Sequence, residues 1–253
     1  MRIDKIYVGW DAREDIAWQV CRHSLKKVLS RDIEIIPLRL DVLREMGFYS
    51  RTSHLDENGK KVDAIDGRPF STDFSFSRFL VPALMGFKGT ALFCDCDFLF
   101  QADPLELEEL LDPSKAIHCV PHVHVPKEQV KMDGQVQSLY RRKNWSSFVV
   151  WNCAHPKNAQ LTVDEVNTRP GGWLHGFNWL NDDDIGKVDE SWNWLEGHSS
   201  HDIKPRAIHY TRGGPWFSDY QDVAYAQVWT DALRDYQNGI EREVSAASSS
   251  ATF

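Results

Sequence analysis

The sequence has few cysteines, and they are not arranged to bind zinc or to build a disulfide framework. The five cysteines are odd in number and dispersed along the chain, and no Cys-x-x-Cys pair occurs. Scattered single cysteines are typical of proteins from reducing compartments. This pattern excludes a zinc ribbon and a small disulfide-stapled domain, and it predicts a cytoplasmic location.

Long apolar runs and an excess of basic charge are also missing. No stretch approaches the ~20 apolar residues that a membrane-spanning helix needs. Residues 1–5 lead straight into a strand pattern, so no signal peptide is expected. The net charge of −8 disfavours a nucleic-acid backbone as the main partner. Peripheral contact with a membrane stays open, since it requires no long apolar segment.

The sequence does contain the succession of elements found in an α/β domain. Strand patterns at 3–9 and 33–37 enclose a helical pattern at 15–29, and this start favours parallel strands. Further strands are predicted at 90–95, 116–125, 145–152 and 207–210, and helices at 73–86, 104–111, 159–167, 170–180 and 219–236. We therefore predict one Rossmann-like α/β domain over residues 1–243, with a mixed central sheet flanked by helices and inserted loops. The polar stretch 41–72 is interpreted as a long loop or a small excursion with short strands, and the Ser/Ala-rich residues 244–253 as a disordered tail.

Two carboxylates end the most apolar strand pattern of the chain. Residues 90–94 are Thr-Ala-Leu-Phe-Cys, and Asp95 and Asp97 follow before further apolar residues. Burying ionised carboxylates is unfavourable unless a cation or strong donors compensate them. A divalent metal at the carboxyl edge of a sheet would do so. The alternative is a strand end followed by a turn in which both acids are solvated, and the spacing alone does not decide between the two.

Two other segments are expected to meet these carboxylates at the same sheet edge. One is residues 9–13 after the first strand, and the other is residues 209–216 after a late strand. His209 is able to complete an oxygen and nitrogen ligand shell, and Arg212 presents a planar cation to phosphate oxygens. A metal, an arginine and a Gly-rich turn together predict a site for a nucleotide diphosphate, where the metal acts as a Lewis acid on the leaving phosphate.

The order of these motifs resembles the GT-A glycosyltransferases of family 8, the glycogenin-like and lipopolysaccharide galactosyltransferase-like group. The motifs are Ile-Tyr-Val-Gly-Trp-Asp at 6–11, Phe-Ser-Arg-Phe-Leu-Val-Pro at 76–82, the Asp-x-Asp strand at 92–100, Trp-Ser-Ser-Phe-Val-Val-Trp-Asn at 145–152 and the late turn at 209–216. The resemblance covers residues 3–217. The ordered succession is more specific than any one of the motifs.

The resemblance implies a GT-A fold and a metal-dependent transfer of a sugar, with retention, from a UDP-linked donor to a hydroxyl acceptor in glycan biosynthesis. The acceptor would be a saccharide, a glycolipid or a protein. Asp95, Asp97 and His209 would hold Mn²⁺ or Mg²⁺. The residues expected to bind the donor are Gly9, Trp10, Asp11, Arg13, Arg78, Ser146, Ser147, Arg212 and Gly213. Catalytic roles are expected for Asp95, Asp97, Arg78 and His175, with a helix cap as the alternative for His175.

The chain departs from the family pattern in two places. The late turn is one residue shorter and lacks the Lys that meets the diphosphate, so Arg212 is the candidate substitute. The Asp-Gln-Asp segment has no clean match, and residues 174–181 stand in its place. Two alternatives therefore stay open: a nucleotidyltransferase acting on sugar phosphates, and a non-catalytic sugar- or nucleotide-binding protein that keeps the fold.

Several other conspicuous residues are expected to be structural. His118, His122 and His124 are interpreted as loop or surface residues rather than metal ligands, and the acidic residues 182–184 as a solvated turn. Most of the ten tryptophans are expected in the core.

Overall fold

The computed structural model describes residues 1–122 and 142–250, of which 243–250 are described by their backbone alone. His124 therefore lies outside the described residues. The α-helices are α1 (Asp15–Val28), α2 (Leu40–Glu45), α3 (Phe74–Ser77), α4 (Val81–Leu84), α5 (Val163–Thr168), α6 (Gly171–His175) and α7 (Ala226–Ser250). Single 3₁₀ turns connect several of them.

The strands form a large mixed sheet, a small sheet and a hairpin. They are β1 (Lys5–Gly9), β2 (Ile35–Leu38), β3 (Ser53–Leu55), β4 (Lys61–Asp63), β5 (Thr90–Cys94), β6 (Phe98–Phe100), β7 (Ile117–Cys119), β8 (Phe148–Asn152), β9 (Ile185–Lys187), β10 (Trp194–Leu195) and β11 (Ala207–His209). The large sheet has the order β2-β1-β5-β8-β7-β9. Strands β1, β2 and β5 are parallel, whereas β8 runs antiparallel to both β5 and β7. This confirms the predicted mixed central sheet with flanking helices.

The small sheet places the Asp-x-Asp motif between two sheets. Its order is β10-β11-β6, with β11 antiparallel to β6. Because β5 belongs to the large sheet and β6 to the small one, residues 95–97 are the crossing between them. The register of the antiparallel pair sets His209 opposite Phe98, and this brings His209 to the motif.

Two hydrophobic clusters support this arrangement. The larger one fills the space around the central sheet, whose strands β5 and β8 are buried along their full length. The smaller one joins α1 and α7 to the small sheet through Val20, Trp194 and Trp229. All five cysteines lie among the described residues, and they are buried free thiols, as the sequence predicts. Trp192 and Trp194 are core residues, also as expected.

The helical predictions differ from the structure where local sequence breaks them. The predicted helix at 73–86 is divided into α3, a 3₁₀ turn and α4, because Pro82 fits only the first turn of a helix. The stretch 41–72 contains the β3–β4 hairpin, in agreement with the predicted excursion with short strands, and also most of α2, which was not predicted. The last helix begins at Ala226 and runs to Ser250, so it enters the segment 244–253 for which composition predicts disorder. Alanine favours helix, and a helix that starts from a packed segment extends readily.

No helix in the described part of the chain is long and apolar enough to cross a membrane.

Candidate active site

Both ends of the Asp-x-Asp motif are fixed to backbone groups of the two sheets. The backbone N–H of Asp95 donates to the carbonyl of Ser147 at 3.0 Å, at the entry to β8. The carbonyl of Asp97 accepts from the N–H of Tyr210 at 3.0 Å, at the exit from β11. The two side chains therefore have a defined direction, although neither residue is part of a strand.

Asp95, Asp97 and His209 form a set of converging ligand atoms. One ligand atom from each lies within 4.8 Å of the other two, and His209 Nε2 lies 3.3 Å from Asp97 Oδ2. Asp97 Oδ1 is buried and has no hydrogen-bond partner among the described residues. Two carboxylate oxygens and one imidazole nitrogen are a donor set that suits Mn²⁺ or Mg²⁺. The residues thus fit the divalent metal that the sequence predicts.

Arg78 is the cation nearest to this set. It is buried, and its Nη1 lies 2.8 Å from Asp95 Oδ1 and donates to the Ser146 carbonyl at 3.1 Å. Burial raises the pKa of Asp95 to about 7, and neighbouring Asp97 adds to the rise, while Arg78 and His209 act against it. The charge of Asp95 is therefore under-compensated in the protein alone, which is the electrostatic condition that a bound cation relieves.

His209 is held by a stacked ring and through its second nitrogen. Its ring stacks on Phe98 at a centroid distance of 4.4 Å. Its Nδ1 lies 2.8 Å from Oδ1 of Asn193, a fully buried residue in the 3₁₀ turn before β10. Asn193 was not among the sequence-predicted site residues, because no local pattern links it to His209.

The turn after β1 is built around a buried carboxylate. Asp11 accepts from the Nε and Nη2 of Arg13 and from the backbone N–H groups of Arg13 and Asp73. Burial opposes its ionisation, but these hydrogen bonds hold the pKa of Asp11 below its usual value. Gly9 is required by close packing, since a Cβ there would lie 2.5 Å from the ring of Phe74. Asp11 and Arg13 are thus partners in an ion pair that is also hydrogen-bonded.

Trp10 borders a cavity of about 440 Å³ beside this turn. Three cations contribute to its walls: Arg39, Arg44 and Lys61. The guanidinium of Arg39 lies over the Trp10 ring, 4.6 Å from its centroid. Asp41 and Asp73 also line the cavity and pair with Arg39 and Lys61. The cavity therefore combines an aromatic wall with paired charges, next to the segment that the sequence predicts to bind the donor.

Glu14 is a further carboxylate near the metal ligands that the sequence analysis did not single out. Burial raises its pKa to about 8, and Asp97, Asp11 and Asp95 contribute to the rise. The only sequence signal was its position in the turn after the first strand. Glu14 is not part of the converging ligand set, which consists of Asp95, Asp97 and His209.

Ser146 and Ser147 lie in a 3₁₀ turn, Trp145–Ser147, at the start of β8. The Ser146 hydroxyl lies 2.9 Å from His175 Nδ1, and the His175 ring also has a backbone hydrogen bond with Ser75. Burial lowers the pKa of His175 to about 3, with Arg78 adding to the effect. The hydroxyl of Ser147 donates to the Asn144 carbonyl at 2.8 Å. The Ser147 hydroxyl proton is thus directed toward a backbone carbonyl, and the Ser146 hydroxyl is hydrogen-bonded to the His175 ring.

Arg212 is close to the site but engaged in an ion pair. Its Nη2 lies 2.7 Å from Oε2 of the buried Glu196. Its guanidinium packs against Gly197, where a Cβ would come within 2.2 Å of it. Gly213 has a φ of +123°, which favours glycine. Arg212 therefore has a defined position, with the rest of its donors exposed.

Two other expectations can be compared with the structure. His118 is buried on β7, where its Nε2 accepts from the Asp112 N–H at 2.9 Å, so the loop or surface interpretation is wrong for it. Burial lowers the pKa of His122 to about 3. The acidic residues 182–184 form a 3₁₀ turn with ion pairs to Arg142 and Lys157, and the turn borders a polar cavity of about 510 Å³.

Solved structures with the same fold are glycosyltransferases. This chain superposes on the bifunctional glycosyltransferase WbbM with a TM-score of 0.60 at 14% identity, covering 92% of this chain and 50% of WbbM. For GlyE of Streptococcus pneumoniae TIGR4 the TM-score is 0.56 at 13% identity, covering 98% and 64%. For the galactosyltransferase LgtC, solved with donor and acceptor sugar analogues, it is 0.56 at 14% identity, covering 91% and 95%. The fold is therefore GT-A, as the motifs predict, and the chain spans half of WbbM and less than two thirds of GlyE.

No protein-family model matches the sequence. A curated relative does: Protein CDI of Arabidopsis thaliana is 46% identical over 248 residues, which cover 96% of this chain and 91% of that protein. On this similarity, the chain belongs to the family of Protein CDI.

Proposed function

We propose that the protein is a metal-dependent glycosyltransferase that moves a sugar from a UDP-linked donor to a hydroxyl group of a glycan, glycolipid or protein acceptor. The GT-A fold supports sugar transfer in general. The observation that carries the proposal is the convergence of Asp95, Asp97 and His209, with one oxygen of Asp97 buried and unpartnered among the described residues. A fold kept only as a scaffold would not need to bury such an atom.

The site residues have separable tasks in this proposal. Asp95, Asp97 and His209 would hold Mn²⁺ or Mg²⁺, which when bound supplies Lewis-acid stabilisation of the charge on the leaving diphosphate. Arg78 orients Asp95 through their ion pair and adds positive charge at the same edge. The exposed side of Arg212 faces solvent beside the late turn, where it is available to phosphate oxygens.

The cavity beside Trp10 is the proposed position of the nucleoside. The indole of Trp10 provides an aromatic wall for it, and the Arg39 guanidinium packs on one face of this ring. Asp11 has its carboxylate occupied by Arg13 and Asp73, so its role in this proposal is to shape the turn rather than to bind ribose directly. Retention at the anomeric carbon is proposed on the family 8 resemblance alone. We assign no base to the acceptor side, because burial lowers the pKa of His175 to about 3, which makes its imidazole a weak base, and its Nδ1 is hydrogen-bonded to Ser146.

The nucleotidyltransferase alternative has less support. Such an enzyme would be expected to carry a basic Gly-rich loop near the first strand. The only arginine of that turn, Arg13, makes two hydrogen bonds to the buried Asp11. The turn also contains a single glycine, Gly9, whose Cβ position is occupied by the Phe74 ring, so it is not a Gly-rich phosphate loop.

Calorimetry of UDP with and without Mn²⁺ tests the donor site. We expect Mn²⁺ to strengthen UDP binding in the wild type and to have no effect in Asp97→Asn, because that change removes a charged ligand while keeping the size of the side chain. Asp103→Asn is the matched control: this residue caps a 3₁₀ turn away from the site and should behave as wild type. Equal metal enhancement in wild type and Asp97→Asn would refute the proposed metal site.

Release of UDP from a panel of UDP-sugars, with and without candidate acceptor saccharides, tests the reaction. A glycosyltransferase releases UDP faster when its acceptor is present. UDP binding with metal dependence, but with no release from any sugar of the panel, would favour the non-catalytic binding protein instead.

A further inference from the structure

We infer that Asn193 is a positioning residue for His209, which fixes the tautomer of the imidazole so that the lone pair of Nε2 points toward the metal position. The inference rests on the proposed metal-dependent function and concerns a residue outside the ligand set. It follows from a chain of hydrogen bonds that has only one consistent direction.

The direction of the chain is set by a backbone carbonyl. The Ser147 Oγ lies 2.8 Å from the carbonyl oxygen of Asn144. A carbonyl oxygen has no proton, so at this distance the hydroxyl must donate. A serine hydroxyl has a single proton, and Ser147 can therefore only accept from its other neighbour, Asn193, which lies 2.9 Å away.

The orientation of the Asn193 amide follows from this. Its Nδ2 must be the atom that faces Ser147, because only the NH₂ group donates. Its Oδ1 then faces His209 Nδ1 at 2.8 Å, and an amide oxygen can only accept. His209 Nδ1 must carry the proton, which leaves Nε2 as the unprotonated nitrogen of the neutral ring. Nε2 is the atom that lies 3.3 Å from Asp97 Oδ2.

The surroundings keep this chain of hydrogen bonds in a single arrangement. Asn193 is fully buried, and Ser147 and His209 are each only 3% exposed. The stacking of His209 on Phe98 fixes the plane of the ring. Outer-shell partners that receive the second N–H of a metal-binding histidine act in this manner, because they select one tautomer and one orientation.

The same turn also supports the other half of the ligand set. The Ser147 carbonyl accepts from the Asp95 N–H, and the Ser146 carbonyl accepts from Arg78. The turn Trp145–Ser147 is thus the common support of Asp95, through its backbone, and of His209, through Asn193.

The tautomer is measured directly in the metal-free protein. Long-range ¹H–¹⁵N correlation spectra of ¹⁵N-histidine-labelled protein distinguish the two neutral tautomers, and assignment by the His209→Gln variant identifies the relevant ring. We expect His209 to carry its proton on Nδ1 in the wild type. A neutral ring protonated on Nε2 would overturn the inference, whatever the protein binds.

Affinity for Mn²⁺ alone, measured by the loss of the free-ion EPR signal, is the second readout. Asn193→Ala should weaken binding about 10–100-fold, as loss of an outer-shell partner generally does. Asn193→Asp keeps an acceptor toward Nδ1 and should bind more tightly than the alanine variant. Asn158→Ala is the control: this equally buried asparagine bonds backbone carbonyls away from the site, and its loss should leave Mn²⁺ affinity unchanged.

The outcomes separate the two proposals. If the wild type binds no Mn²⁺, the donor site and the positioning role fail together. If the wild type binds Mn²⁺ and Asn193→Ala binds it equally well, the positioning role alone is wrong. If Asn158→Ala weakens Mn²⁺ binding as much as Asn193→Ala does, the effect is one of general stability and the positioning role is again overturned.

Discussion

At the scale of single residues, the arginines around the candidate site are held by carboxylates of the protein. Arg13 pairs with Asp11, Arg78 with Asp95 and Arg212 with Glu196. In each pair the carboxylate is more buried than the arginine or nearly as buried as it. A buried carboxylate without a partner would lower stability, and the arginine compensates its charge. Hydrogen-bonded charges of this kind have fixed geometry, which is the property that a site for an anionic donor needs.

Gly9 gives a prediction at this scale, because its place at the end of β1 depends on having no side chain. A Cβ would lie 2.5 Å from the Phe74 ring. Gly9→Ala should lower the free energy of unfolding by about 1–3 kcal/mol through overpacking. The measurement is urea denaturation, with Gly172→Ala, which meets nothing within 4 Å, as the control. The double change Gly9→Ala with Phe74→Leu should recover part of the loss; additive losses would show that the two groups do not collide.

At the scale of elements, features that depend on residues close together in the sequence could be predicted, and features that depend on residues far apart could not. The strand β5 and the helix α1 could be predicted because their patterns are local: a continuous apolar run and a 3.6-residue periodicity. The pairing of β6 with β11 could not, since it joins residues about 110 positions apart and depends on register. His209 could be placed beside the two carboxylates because strand ends meet at one sheet edge, and the family resemblance agrees. Asn193 could not be placed, because its contact follows from the parallel pairing of β10 with β11.

The packing of α7 on α1 gives the prediction at this scale. Trp229 is 3% exposed and lies in the cluster that joins α7 to the small sheet, with its ring 5.3 Å from that of Trp216. Trp229→Ala should cost about 3–5 kcal/mol of unfolding free energy through the cavity it leaves. Arg234→Ala, on the exposed side of the same helix, should change it by less than about 0.5 kcal/mol. Comparable losses in the two variants would show that α7 is not anchored by this cluster.

At the scale of the whole molecule, the buried histidines make stability depend on pH. Burial lowers the pKa of His118 to about 4, and of His122 and His175 to about 3, from an ordinary value of 6.5. Below pH 6.5 these histidines therefore bind protons in the unfolded chain but not in the folded protein. The free energy of unfolding decreases as the pH falls from 6.5 toward the folded-state pKa values. Asp95 and Glu14 act in the opposite direction, because their raised pKa values mean that the folded protein takes up protons first as the pH falls.

His118→Gln isolates one histidine from these opposing contributions. Glutamine keeps an acceptor for the Asp112 N–H but does not titrate. Between pH 6.5 and 4.5, the wild type should lose up to about 1.4 kcal/mol per pH unit more than the variant. The measurement is the difference between the two unfolding free energies across this range, in which the carboxylate contributions cancel. His54→Gln, which removes an exposed histidine of β3, should follow the wild type. Parallel curves for wild type and His118→Gln would mean that His118 takes up its proton in the folded state, and that Asp112 rather than burial then governs its ionisation.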